Sequence, residues 1–183
     1  MPKLYLVRHG EAAAGFTQSL DPGLSALGHE QASALAQKLK TWPQMAIVSS
    51  PLARALETSA PLAALWQCDP AIEPRVAEIP APDGQTLAER GPWLQAFMRS
   101  SWSEAPAELK AWRTDLLQAL TGIEQDTIVF THFVAINVAA GAATGQDRVT
   151  CFSPANASLW SLEVSSGHLL LSALGAQLPL PLG

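Results

Sequence analysis

Apolar residues along the chain fall into short unbroken runs, separated by longer stretches in which they recur every three or four positions. Residues 4–7 (Leu-Tyr-Leu-Val) form one such run, the pattern of a buried strand covered on both faces. Beyond it, Leu27, Leu35 and Leu39 repeat at multiples of four and predict a first helix with Ser25 as its N-cap. Residues 46–49 predict a second strand. Ser50-Pro51 then predicts a helix start, Ser as N-cap and Pro at the first helical position, with the helix running to about Trp66.

Residues 72–78 predict a third strand, and the prolines and glycine of Ile79-Pro80-Ala81-Pro82-Asp83-Gly84 predict an irregular loop. Helical spacing returns over 86–102 and 106–120. Residues 126–131 give the clearest strand, β-branched and apolar, and the Ala-rich segment 133–143 predicts a helix behind it. Residues 159–164 and 168–174 predict two strands joined by Ser165-Ser166-Gly167, a hairpin signal, and the Leu/Pro tail 178–182 predicts extended chain. Strands alternating with helices predict an α/β fold: a three-layer α/β/α sandwich with a mostly parallel sheet and an antiparallel pair at one edge. No repeat, linker or low-complexity block interrupts residues 1–183, so a single domain is expected.

Composition narrows the partners. With 48% hydrophobic and 15% charged residues, the chain can bury a substantial core. A net charge of -5, with only 11 basic residues scattered along the chain, excludes the clustered cations that nucleic acid or an anionic membrane requires. No apolar run approaches the ~18 residues of a membrane span. Cys68 and Cys151 lie in no metal-ligand or redox spacing, and no secretory leader is legible, so a cytoplasmic protein with reduced thiols is expected. Nothing specifies an oligomeric state.

In open α/β sheets ligands bind beyond the carboxyl ends of the strands. Those positions hold Arg8-His9, the segment from Ser49 to Arg54, Glu78, and His132. Arg54 falls in the first turn of a predicted helix, where a cation is disfavoured by ~0.3–1 kcal/mol unless it faces an anion. An arginine at an anion-binding helix start reads as a phosphate grip, the alternative being a solvated surface residue. His29 falls on the polar side of the first helix and His168 in a terminal strand, and both read as structural.

Leu6-Val7-Arg8-His9-Gly10-Glu11 resembles the signature that opens the histidine phosphatase superfamily, which includes the cofactor-dependent phosphoglycerate mutases. Asp21-Pro22-Gly23-Leu24-Ser25-Ala26-Leu27-Gly28-His29-Glu30-Gln31-Ala32 resembles the family's stretch after the signature. Ser49-Ser50-Pro51-Leu52-Ala53-Arg54-Ala55-Leu56-Glu57-Thr58 resembles its second-arginine helix. Glu78 stands where the family places its acid, Thr131-His132 where it places its second histidine, and Asn156-Ala157-Ser158 is similar to its approach to the last strands. The resemblance runs from residue 3 to about 174.

This resemblance implies His9 as a nucleophile that takes the phosphoryl group, with Arg8, Arg54, His132 and the backbone amide of Phe133 holding phosphate. It implies Glu78 as the acid and then the base, and it implies neither metal nor cofactor. The residue types suit those roles, since a neutral imidazole is nucleophilic and fixed donors carry most of the acceleration of phosphoryl transfer. Glu73 and Asp83 are alternative acids nearby. The expected activity is a phosphatase acting on a phosphorylated small molecule or phosphoprotein.

Departures from the family pattern matter. Ala12-Ala13-Ala14-Gly15 replaces hydroxyl side chains and an asparagine that relatives use to hold phosphate, and the chain is short for the mutases. Phe133 stands where glycine is common, and Pro80 and Pro82 replace an aromatic and glycine pattern. A mutase-type isomerase and a phosphate-binding module without turnover are therefore the alternatives. Specificity is expected from residues 79–108, with Trp93, Arg99 and Trp102 as candidates.

Overall fold

Strand β4 (Thr127–Thr131) is buried at every position, as a central parallel strand must be when helices cover both faces of its sheet. In the computed structural model, which describes residues 1–15 and 18–178, β4 lies between β1 (Lys3–Arg8) and β2 (Ala46–Ser49). The remaining strands are β3 (Ala71–Ile72), β5 (Leu159–Ser165) and β6 (His168–Ala173), in the order β3-β2-β4-β1-β5-β6. The first four in that order run parallel, and β5 and β6 close the sheet antiparallel at one edge. The expected α/β sandwich is the observed architecture.

Alternation along the strands builds two cores. Val7, Ile47, Ile128 and Phe130 face α1 (Ala26–Leu39) and α2 (Ala53–Trp66), packing on Leu35, Leu39, Leu62 and Trp66. Leu4, Leu6, Val129, Trp160 and Leu162 face the other way. They meet α3 (Leu87–Met98), α4 (Ala107–Thr121) and α5 (Phe133–Ala143) through Phe97, Leu116 and Ile136. Burying side chains of this size contributes roughly 1.5–3 kcal/mol each, so the two cores fix the sheet on which the strand-end residues stand.

Four local expectations are corrected. The buried stripe of α1 is Gly28, Ala32, Leu35, Ala36 and Leu39, while Leu27 is exposed, because Gly28 is the residue that approaches the loop after β1. Helix α2 begins at Ala53 with Leu52 as its N-cap, not at Pro51, since the Ser50 hydroxyl is engaged with Leu52 N–H and with His132. The third strand ends at Ile72, where Pro74, which has no N–H for a ladder, opens a 3-10 turn over Pro74–Val76 with Glu73 as its cap. The helix expected over 86–102 stops at Met98, and a separate 3-10 turn spans Trp102–Glu104. Of the tail, residues 179–182 lie outside the described residues.

Candidate active site

Arg8 pairs with Thr131 across β1 and β4, so the next residues of both strands, His9 and His132, leave the sheet side by side. Their ring centroids are 5.2 Å apart. One strand further, Ser50 follows Ser49 at the end of β2, its N–H bonded to Phe130 O at 3.0 Å. Parallel register thus gathers three consecutive strand ends into one cleft.

His9 is 7% exposed and held through its Nδ1, which lies 2.6 Å from the carbonyl of Gly10. Only a protonated Nδ1 can make that contact, so Nε2 carries the lone pair. Nε2 in turn accepts from Arg54 Nε at 3.2 Å. Burial, reinforced by the charges of Arg54 and Arg8, pushes the His9 imidazolium down to about 3, against the pull of Gly10 O. The ring is neutral at physiological pH.

His132 is fully buried and its Nε2 lies 2.8 Å from Ser50 Oγ. That oxygen also accepts from Leu52 N–H at 3.2 Å, and when its own proton points to Nε2 the ring carries its N–H at Nδ1. Nδ1 is buried without a hydrogen-bond partner among the described residues. A buried donor left unmade costs ~1–3 kcal/mol, and His132 is not itself among the residues that line the cavity. Burial and the neighbouring His9, Arg54 and Arg8 hold His132 well below the usual imidazole range.

The two arginines approach from different elements. Arg54, at the second position of α2, is 6% exposed, and its guanidinium lies 3.9 Å from Asp21 as well as against His9. Arg8 donates to Pro154 O at 2.6 Å and lies 5.1 Å from the centre of the Phe133 ring, a cation–π contact, while its Nε is buried without a partner among the described residues. Burial lowers both guanidinium groups somewhat, with the Glu78 carboxylate opposing. Arginine remains charged in this range.

Glu78 points into the same cavity, of ≈ 350 Å³, which Arg8, His9, Arg54 and Phe133 also line. Its carboxyl accepts from Ile79 N at 3.0 Å and from Val134 N at 3.2 Å. Burial raises it above the ordinary carboxylate range, and those amides and the two arginines counteract only part of the rise. The alternatives fall away: Glu73 is bound by Arg75 at 2.7 Å, and Asp83 lines a separate depression beside Pro80 and Pro106. His29, near Glu57 at 3.7 Å, and exposed His168 are likewise outside the cavity.

Three residues that the sequence reading places only within motifs, with no role of their own at the site, support it. Ser50 orients His132, Thr58 joins Gly10 N (2.9 Å) to Arg54 O (2.6 Å), and Asn156 Nδ2 donates to His9 O at 3.2 Å. Thr58 lies four residues beyond Arg54 on one helix face, a spacing that could have signalled it. Of the specificity candidates, Trp102 is core and Arg99 is exposed, and neither lines the cavity. Trp93 stacks on Phe97, and the same helix presents Leu94 and Met98 to the cavity instead.

The chain resembles several characterised proteins. It is 28% identical over 189 residues to a glucosyl-3-phosphoglycerate phosphatase of Mycolicibacterium vanbaalenii, covering 98% of this chain and 75% of the relative. A probable phosphoglycerate mutase of Proteus mirabilis is 34% identical over 83 residues, 43% of this chain, and the chain spans only 39% of that relative's length. Among solved structures, a phosphoserine phosphatase of Entamoeba histolytica in complex with 3-phosphoglyceric acid superposes with a TM-score of 0.73. It covers 97% of this chain and 98% of its own at 22% identity, a likeness of fold. The family model of the histidine phosphatase superfamily, branch 1, matches residues 4–177, nearly the whole chain, and the protein belongs to that superfamily.

Proposed function

We propose that this chain is a phosphatase that hydrolyses a phosphomonoester, or a phosphoprotein, through a covalent phosphohistidine on His9. The observation that carries this reading is the contact of His9 Nδ1 with Gly10 O, which fixes the tautomer and leaves Nε2 as a buried, neutral nucleophile. Arg54 releases Nε2 as its guanidinium turns to the phosphoryl oxygens. Nε2 attacks phosphorus, the N–P bond forms and the ester P–O bond breaks. The departing oxygen takes a proton from Glu78, whose raised carboxyl keeps one to give. Water then attacks phosphorus, Glu78 accepts its proton, the P–N bond breaks and inorganic phosphate leaves.

Charge on the equatorial oxygens is met by Arg8, Arg54, the Phe133 amide at the start of α5 and the free Nδ1–H of His132. These donors supply what a divalent cation supplies elsewhere, so the reaction is read as metal-independent and cofactor-free. A cytoplasmic setting is supported by the unpaired thiols of Cys68 and Cys151. Among the described residues no helix is long and apolar enough to cross a membrane.

Mass spectrometry of the enzyme turning over 4-nitrophenyl phosphate, quenched in alkaline denaturant because acid hydrolyses the P–N bond of phosphohistidine, tests the reading. One phosphoryl group on the peptide carrying His9 is expected, and His9→Ala is expected to lose both the adduct and turnover while keeping its circular dichroism. Turnover retained by folded His9→Ala overturns it. Phosphate binding without adduct establishes the binding-module alternative instead, and phosphoglycerate interconversion faster than hydrolysis establishes the mutase.

A further inference from the structure

We propose that the substrate is a small phosphomonoester whose leaving group is an apolar body bearing no carboxylate. The inference rests on the phosphatase reading and adds the substrate class. The cavity of ≈ 350 Å³ lies at the small end of ligand pockets, which run from about 300 to 1,000 Å³. Its ionisable lining residues are Arg8, His9, Arg54 and Glu78, all belonging to the phosphoryl end. One phosphate dianion occupies both arginines.

The rest of the described lining is carbon. Leu20, Leu94, Met98, Phe133, Val134 and Leu178 form the walls, with Ser19 the sole hydroxyl side chain among the lining residues. Leu20 and Leu178 are 65% and 45% exposed, so two large apolar side chains stand uncovered at this cavity. A leaving group laid against them removes apolar surface from water, which is favourable. A carboxylate in the same place loses its water with no lining cation to receive it, and it shares the cavity with the Glu78 carboxyl. Ala12 and Ala14 also line the cavity and add no polar side chain to it.

Steady-state kinetics on the methyl, butyl and hexyl monophosphates, with 3-phosphoglycerate and phosphoserine alongside, test the proposal. The expected result is kcat/KM rising about two- to fourfold per added methylene, with both carboxylate-bearing esters well below hexyl phosphate. Met98→Lys and, as a second variant, Leu94→Lys are expected to shrink the hexyl-to-methyl ratio and to raise 3-phosphoglycerate relative to hexyl phosphate. A flat dependence on chain length, or 3-phosphoglycerate as the best ester, overturns the proposal. Failure of the underlying phosphatase reading looks different, since no ester would then leave phosphate on His9.

Discussion

The side chain of Thr58 bonds at once to the backbone that follows the candidate nucleophile and to the backbone that carries the second arginine: Gly10 N–H donates to its hydroxyl at 2.9 Å, and that hydroxyl donates to Arg54 O at 2.6 Å. Gly10 O is in turn the group that fixes the His9 ring. Beside the direct bond between the two side chains, the backbones of His9 and Arg54 are thus tied through one buried residue that does not line the cavity.

Thr58→Val, nearly isosteric, strands the buried Gly10 N–H, while Arg54 O keeps its helical bond from the backbone N–H of residue 58, a loss of about 1–3 kcal/mol. As a positioning residue, Thr58 is expected to act on kcat more than on KM, by about 10- to 100-fold, because small displacements of reacting groups are expensive. Thr58→Ser, which keeps the hydroxyl, is expected to restore most of the rate. Comparing kcat, KM and thermal midpoint across the three proteins separates the roles. A Val variant that melts earlier but turns over normally would make Thr58 purely structural.

The ionisation states give a pH prediction with a definite sign. His9 is held down to about 3, so its lone pair persists far below the point at which a free imidazole is protonated. Glu78 is raised by burial and, in the proposed mechanism, serves first as an acid, so activity is expected to fall as pH rises through its titration. The pH profile of kcat is therefore expected to keep its activity well below pH 6.5 and to decline on the alkaline side. Glu78→Gln is expected to flatten that decline and to slow phosphorylation of His9 by alkyl phosphates by about 10²–10⁴-fold in single-turnover measurements, and by 4-nitrophenyl phosphate much less, since its leaving group needs no proton; the later hydrolysis of the phosphohistidine is common to both esters. Equal losses on both esters would assign the proton elsewhere.

The same groups govern stability. For His9 and His132 the folded values lie below the unfolded one of about 6.5, so the stability present above that pH is lost as pH falls, at up to ~1.4 kcal/mol per pH unit for each. For His9 the loss runs down to about 3. Glu78 acts with the opposite sign, its contribution full below the ordinary carboxylate range and lost as pH rises. Urea midpoints measured from pH 7 to 4 are expected to fall less steeply for His9→Gln than for the native chain, and parallel slopes would contradict the depressed titration of His9.

Gly28 offers a test of how closely helix α1 is docked. A Cβ there would lie 2.1 Å from the carbonyl oxygen of Glu11, and one on Gly10 would lie 2.6 Å from the carbonyl oxygen of Gly28. Both obstacles are backbone and cannot rotate away. Gly28→Ala is expected to destabilise the protein by about 1–3 kcal/mol, despite the gain in helix propensity, and to lower kcat through the displaced loop at Gly10. An unchanged melting temperature would mean that the helix slides freely at this contact.

Much of this was legible because strand ends are legible. The apolar runs before Arg8-His9 and before His132 place both histidines at one sheet edge, and the parallel register of β1 with β4 makes them neighbours. Less legible was everything decided by a side chain's second bond. Ser50 reads as a helix cap by local chemistry, yet its hydroxyl orients His132 across a separation of 82 residues. Leu27 fits a heptad-like stripe better than Gly28 does, but the stripe is turned by a close backbone approach that carries no hydrophobic signal. Phe133 reads only as a replacement for a common glycine with a useful backbone amide, whereas its ring also forms the platform for the Arg8 guanidinium.

The bond from Arg54 to the His9 nitrogen proposed as the nucleophile has a chemical corollary. A nitrogen whose lone pair is already claimed by a guanidinium N–H is a poor partner for uncharged electrophiles such as acyl donors or alkyl halides, which have nothing to offer the cation in exchange. An incoming phosphate dianion does. On this reading the anion draws the guanidinium to itself and unmasks the nitrogen in the same motion, so chemoselectivity is exercised by the substrate's own charge before any part of its leaving group is recognised.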